Sequence, residues 1–230
     1  MNYKCVIPAE FVSRPNRFVA NVILNGNEEA VHVKNTGRCR ELLVKGAKVF
    51  LSISDNENRK YKYDLIAVEK KTDRGTLLIN MDSQAPNIAA EEWISSCGIF
   101  SDSAEVRREV CFGSSRFDLF VSDGERKAFI EVKGVTLEHN GVASFPDAPT
   151  ERGVKHIGEL ISCCEAGYEA YILFVVQMKG IHLFKPNDIT HAAFGAALRK
   201  AYNSGVNILV RDCIVTPETM VIDKSVEFEL

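Results

Sequence analysis

Two carboxylates and a lysine stand out as a set: Asp118, Glu131 and Lys133. They occur in Ser115-Arg116-Phe117-Asp118-Leu119-Phe120-Val121 and Ala128-Phe129-Ile130-Glu131-Val132-Lys133, with a short polar turn between. Two acids held close repel each other unless a proton or a cation sits between them. Oxygen ligands of that kind suit Mg²⁺ or Mn²⁺. A lysine beside them can orient a water or stabilise a pentacovalent phosphate. This is the equipment of metal-dependent phosphodiester cleavage. The same residues also fit a surface hairpin with Arg116–Asp118 and Glu131–Lys133 ion pairs, which contribute little to stability.

A β-hairpin is the element that must position them. Ser122-Asp123-Gly124 signals the turn. With a four-residue loop from Asp123 to Arg126, Phe117 faces Val132, Leu119 faces Ile130 and Val121 faces Ala128, all on one apolar face. The other face then carries Arg116 opposite Lys133, Asp118 opposite Glu131 and Phe120 opposite Phe129. A slip of one residue destroys both faces. In this register the Cβ atoms of Asp118 and Glu131 lie roughly 4.5–5.5 Å apart.

The remainder of the chain sets limits. Its 230 residues are 46% hydrophobic and 26% charged, ordinary values for a globular protein. No apolar run approaches the roughly 20 residues of a membrane span. Met1-Asn2-Tyr3-Lys4-Cys5 lacks a signal-peptide pattern. Seven cysteines without a C-x-x-C read as reduced thiols, so the expected location is the cytoplasm. Charge is unevenly divided. Residues 1–80 hold 14 Lys+Arg against 9 Asp+Glu, and residues 81–230 hold 14 against 22. A basic module joined to an acidic one fits polyanion binding beside cation binding, though chance surface charge gives the same imbalance.

Residues 1–80 read as all-β, with strands over Arg17–Leu24, Glu29–Val33, Lys48–Ile53, Tyr61–Glu69 and Gly75–Asn80, and turns at Asn25-Gly26, Gly46 and Asp55-Asn56. Five short strands suggest an OB-like β-barrel. Polar and basic residues gather between them: Lys34, Asn35, Thr36, Arg38 and Arg40, then Arg59, Lys60 and Tyr61. Lysines and arginines interleaved with tyrosines suit nucleic-acid contacts, and equally suit a solubilising surface.

Residues 83–230 alternate. A short helix is expected over Ile88–Ser96. Another is expected from Glu151 to Ala166, with Thr150 as N-cap and Gly167 as stop. Tyr168–Gln177 and Val206–Val210 read as strands, and Ile189–Tyr202 as a helix. The sum is a mixed sheet flanked by helices. In the Glu151 helix, Ile157, Leu160, Ile161 and Cys164 form the apolar stripe. Arg152, His156, Glu159 and Cys163 fall on a second stripe, either solvated or turned to phosphate across a cleft.

The blocks Asn35-Thr36-Gly37-Arg38, Ser115-Arg116-Phe117-Asp118, Glu131-Val132-Lys133, Phe145-Pro146-Asp147-Ala148 and Thr150-x-Arg152-Gly153-x-Lys155-His156-x-x-Glu159-Leu160 occur in order. Over nearly its whole length the chain resembles the bacterial and archaeal sugar fermentation stimulation protein family. The resemblance implies an α+β protein: an N-terminal OB-like barrel (residues 1–82) joined to a C-terminal PD-(D/E)xK nuclease-like mixed sheet with flanking helices (residues 83–230). It implies DNA binding, DNA rather than RNA, with a link to sugar metabolism. Asp118 and Glu131 match the metal-binding acids of that nuclease superfamily, and Lys133 its catalytic lysine. Glu109 stands where an upstream acid is often found. His156 and Glu159 match positions on the helix flanking the sheet. Arg116 and Arg152 join Lys34, Asn35, Thr36, Arg38, Arg40, Arg59 and Lys60 as nucleic-acid contacts. The implied cofactor is Mg²⁺ or Mn²⁺, and a homodimer is allowed. The superfamily's proline is absent, since Phe117 precedes Asp118. The alternative expectation is a DNA-binding regulator of sugar fermentation genes that keeps the fold and does not cut.

Overall fold

The computed structural model describes residues 1–35, 37–54 and 58–230, so Thr36 and the Asp55-Asn56 turn lie outside the described residues. The first half is a barrel. Its strands are β1 (Val6–Asn16), β2 (Val19–Leu24), β3 (Asn27–Val33), β4 (Lys48–Ile53), β5 (Tyr63–Thr72) and β6 (Gly75–Asn80), in the order β3-β2-β1-β4-β5-β6. A parallel pairing of β3 with β5 closes the sheet on itself. Sequence reading missed β1, which contains Pro8 and Pro15. The strand bends: Val6–Glu10 pairs with β4 and Glu10–Asn16 with β2. Pro8 therefore has a ladder neighbour on one side only, where its missing N–H is tolerated.

The second half contains α1 (Ala85–Ile94), β7 (Glu105–Phe112), β8 (Ser115–Asp123), β9 (Arg126–Val135), β10 (Leu137–His139), β11 (Val142–Phe145), α2 (Glu151–Glu165), β12 (Glu169–Val176), β13 (Leu183–Pro186), α3 (Asp188–Asn203), β14 (Asn207–Val215), β15 (Met220–Ser225) and β16 (Glu227–Phe228). A six-stranded mixed sheet runs β15-β14-β12-β9-β8-β7. Its centre, β14-β12-β9, is parallel, and both flanks are antiparallel. Thr150 caps α2 as expected, its hydroxyl accepting from Gly153 N at 3.0 Å. A small sheet, β10-β11-β13-β16, escaped the sequence reading.

The sheet is covered on both faces. Ala89, Ala90 and Ile94 of α1 pack on Leu119, Val121, Ile130, Val132 and Leu173. On the other face Ile157, Leu160 and Phe194 meet Phe120, Phe129 and Phe174 in a core continuous with barrel residues such as Val22, Val49 and Leu65. The halves thus share one interior. A buried polar seam reinforces it: Asn80 Nδ2 donates to Tyr3 Oη at 2.9 Å, Gln177 Nε2 donates to Asn80 O at 3.1 Å, and Lys34 pairs with Asp82 at 2.6 Å.

Two expectations about faces change. Phe117 does not share a face with Leu119; its ring lies with Phe129 (5.5 Å) and His156 (6.1 Å) on the α2 side. On α2 the buried stripe is Gly153, His156, Ile157, Leu160 and Cys163, so His156 and Cys163 are core-facing rather than solvated. A polar side chain on an apolar face needs a buried partner, and His156 has one.

Candidate active site at a strand fork

The hairpin register is the expected one, running from Leu119↔Ile130 to Asp123↔Arg126, which makes the loop two residues tighter than expected. The β8–β9 ladder then stops. Past that point β9 continues against β12, with Glu131 beside Ile172 and Lys133 beside Phe174, while β8 pairs only with β7 through Phe117↔Val110. Asp118 lies in the fork with no ladder partner on either side, opposite Glu109, whose φ of +56° breaks the strand. Its carboxylate fills the gap. Oδ2 accepts from Val132 N at 2.8 Å and Oδ1 from Asn87 Nδ2, on α1, at 2.7 Å.

Glu131 is 2% exposed. Its Oε1 accepts from His156 Nδ1 at 2.6 Å and from the Lys133 ammonium. Arg152 Nε donates to His156 Nε2 at 3.3 Å, which puts the imidazole proton on Nδ1, facing Glu131. Burial alone would raise the Glu131 pKa; the His156 hydrogen bond and the Lys133 charge outweigh it and hold the carboxyl below the usual glutamate range. Its Oε2 is buried and, among the described residues, has no hydrogen-bond partner. Asp118 goes the other way. Burial, then the Glu131 charge, push its carboxyl above the ordinary aspartate value, against Val132 N–H, Lys133 and Asn87.

These residues fit a hard divalent cation. An orphaned buried carboxylate oxygen and a neighbouring acid destabilised by negative charge both call for positive charge between them. Among the described residues no three His, Cys, Asp or Glu side chains gather as a complete ligand cage.

Several expected residues stand elsewhere. Glu109 is mostly exposed and pairs with Arg116 at 3.4 Å. Glu159 accepts from Ser114 Oγ at 2.7 Å, beside Gly113 at the β7–β8 turn. Lys34 is taken up by Asp82, and Arg59 grips Asp64 through two hydrogen bonds of 2.7 and 2.8 Å. Asn35 holds its own loop, through Met81 O and Gly37 N. Lys60 lies over the Tyr61 ring. Arg38 and Arg40 are exposed. Sequence reasoning missed Asn87, since nothing in the composition of α1 marks it, and Arg14, inside the overlooked β1.

A cleft of about 320 Å³ opens between the halves, lined by Asn35, Gly37, Gly134, Phe145, Asp147 and Gln177 among others. Two glycines make it possible. A Cβ on Gly37 would lie 2.7 Å from Asp147 Oδ2, and one on Gly134 would lie 2.5 Å from Gln177 Oε1.

Barrel, mixed sheet and shared seam define a two-module α+β protein with an N-terminal OB domain. Residues 12–79 match the family model described as SfsA N-terminal OB domain, and residues 84–219 the model described as Sugar fermentation stimulation protein RE domain. The chain belongs to the sugar fermentation stimulation protein family. It is 54% identical over 220 residues to the homolog of that name from Desulfitobacterium hafniense (strain DSM 10664 / DCB-2), covering 96% of this chain and 94% of that one. It is 51% identical over 230 residues to the homolog from Ruminiclostridium cellulolyticum, covering all of both. A solved structure of Pyrococcus Furiosus SfsA in complex with Ca2+ has the same fold, with a TM-score of 0.85, 24% identity, and coverage of 100% of this chain and 98% of that one. Among the described residues no helix is long and apolar enough to cross a membrane.

Proposed function

We propose that the protein is a divalent-metal-dependent hydrolase of nucleic-acid phosphodiesters, DNA in preference to RNA, with a PD-(D/E)xK-type site at Asp118, Glu131 and Lys133. The observation that carries this reading is the buried, unpartnered Oε2 of Glu131 next to an Asp118 carboxyl whose pKa is raised. Asp118, Glu131 and a carbonyl near Val132 would hold Mg²⁺ or Mn²⁺. The Ca2+ complex of the Pyrococcus Furiosus relative supports a hard, oxygen-seeking cation in this fold. Bound there, the cation would lower the pKa of its water and offset charge on the phosphate.

The chain's own residues do the rest. His156 fixes Glu131 through Nδ1 and is itself held by Arg152, so the carboxylate keeps one orientation. Lys133 stands on the same strand as Glu131, where its ammonium can leave Oε1 for a phosphate oxygen and stabilise the transition-state charge. Asn87 and Val132 N–H hold Asp118 against the fork. The OB domain fits nucleic-acid binding by the first half.

The test is incubation of the full chain with labelled single- and double-stranded DNA and RNA in Mn²⁺, Mg²⁺ or EDTA, beside Asp118→Ala and Lys133→Ala. We expect cutting that needs metal and falls on the order of 100-fold or more in both variants. A second reading is a DNA-binding regulator that does not cut. What favours it is the direct Lys133–Glu131 contact and the incomplete ligand cage among the described residues. Binding with no cleavage under either metal would decide for it.

A further inference from the structure

The β1–β2 turn carries a group that the carboxylate site does not use. Phe18 is 46% exposed, and the Arg17 guanidinium lies over its ring at 4.9 Å from the centroid. Beside it is a shallow depression of about 440 Å³ lined by Arg14, Asn16, Arg17, Gly37, Arg38 and Arg40. The arginines there are not alike. Arg14 is structural: its guanidinium donates to the carbonyls of Arg17, Asn35, Gly37 and Arg38 at 2.7 to 2.9 Å, tying the β1–β2 turn to the loop after β3. Arg17, Arg38 and Arg40 are exposed and, among the described residues, have no carboxylate partner. Lys34 and Arg59, in the same half, are neutralised by Asp82 and Asp64. Gly37 lines both this depression and the cleft at Gly134.

We propose that the β1–β2 turn is the landing site for a single nucleic-acid strand. Phe18 stacks on a base, Arg17, Arg38 and Arg40 hold phosphates, and the strand continues past Gly37 into the cleft. This rests on the reading that the protein acts on nucleic acid. The arguments for one strand are two. An exposed aromatic among unpaired cations is what an unstacked base requires, and a base pair inside a duplex offers no free face to it. The cleft, at about 320 Å³, is also at the small end of ligand pockets of about 300–1,000 Å³, which suits one nucleotide unit at a time. Asp147 at the cleft repels phosphate and can accept from an exocyclic amine, so bases rather than backbone face it. Because Arg14 already fixes the turn and loop, little ordering remains for binding.

The test is fluorescence anisotropy with the full chain in EDTA, using a DNA strand of about 20 nucleotides without self-complementarity and its duplex, long enough to exceed one OB-fold site. We expect the strand to bind at least about 10-fold tighter than the duplex, and Phe18→Ala to weaken the strand about 5- to 50-fold while changing duplex affinity less than about twofold. Phe18→Trp should restore strand binding, and an unchanged melting temperature of Phe18→Ala establishes that the fold is intact. Arg38→Ala with Arg40→Ala should lower affinity and flatten its salt dependence. Equal or tighter duplex binding, or strand affinity indifferent to Phe18→Ala, overturns the proposal. The cleavage reading fails separately: strand preference without cutting in any metal removes only the hydrolase, and cutting without strand preference removes only the landing site.

Discussion

Asp64 in the barrel and Asp118 in the mixed sheet are both largely buried aspartates, and their surroundings drive them in opposite directions. Burial acts against ionisation at both. At Asp64 the bidentate Arg59 and the His32 ring, 2.7 Å away, outweigh it and leave the carboxyl below the ordinary aspartate value. At Asp118 the strongest charge acting on it is the Glu131 carboxylate, and the balance leaves it above that value. Asp64 has its cations built in; Asp118 and the orphaned oxygen of Glu131 lack theirs. A buried acid saturated from within holds a fold together. A buried pair left short of positive charge is a place for something from outside.

The sharpest way to break this contrast is to add the ion. With Mn²⁺ or Mg²⁺ at about 100 times its dissociation constant, binding to the folded state adds about 2.7 kcal/mol. For a chain of this length that is a rise in melting temperature of about 5–10 °C. We expect the rise in the wild type and in Asp64→Asn, and none in Glu131→Gln. A wild type that melts at the same temperature with and without either ion would leave Asp118 and Glu131 as ordinary interior acids.

The next effect is on stability alone. Asp64→Asn removes the partner of a partly buried Arg59 and should cost about 2 kcal/mol at neutral pH. Its folded pKa is depressed, so the stabilisation is fully present above the unfolded value of about 4 and is lost as pH falls through the folded one. Urea midpoints of wild type and Asp64→Asn should therefore differ clearly at pH 7 and draw together as pH falls below about 4. A constant gap across that range would mean that the loss is steric and the charge pairing contributes nothing.

The same contrast explains what was legible in the chain. The hairpin register could be read because Leu119–Ile130 and Val121–Ala128 are apolar pairs that only one alignment brings together. The α2 start could be read because Thr150 is a capping residue before an apolar period. The fork could not: nothing in Val106–Phe112 announces a left-handed Glu109, so Asp118 was expected in a continuous ladder and Phe117 on the wrong face. His156 counts as polar in any pattern, and only the Glu131 carboxylate, 25 positions away, makes its burial possible. The basic clusters were visible, but which members were already neutralised depended on their partners Asp82 and Asp64. The strands β10, β11, β13 and β16 have two to four residues each, too few for any period to register.

The smallest expected effect is also the one most specific to the contrast. In EDTA at pH 7, Asp118→Asn should not destabilise the protein and should raise its stability by about 1 kcal/mol or less. The substitution removes an ionised group that burial and Glu131 disfavour, at the cost of one of two accepted hydrogen bonds, from Asn87 or from Val132 N–H. The sign with pH is opposite to that at Asp64. A folded pKa raised above the unfolded one penalises the native state as pH rises through it, so the variant's advantage belongs to neutral pH and vanishes in acid, where Asp118 is protonated in the folded and unfolded states alike. Paired denaturation curves at pH 7 and pH 4 measure this directly. If Asp118→Asn instead loses about 2 kcal/mol at pH 7, as Asp64→Asn should, then Asp118 is held by the fold for its own sake, and the case for an external cation between it and Glu131 falls with it.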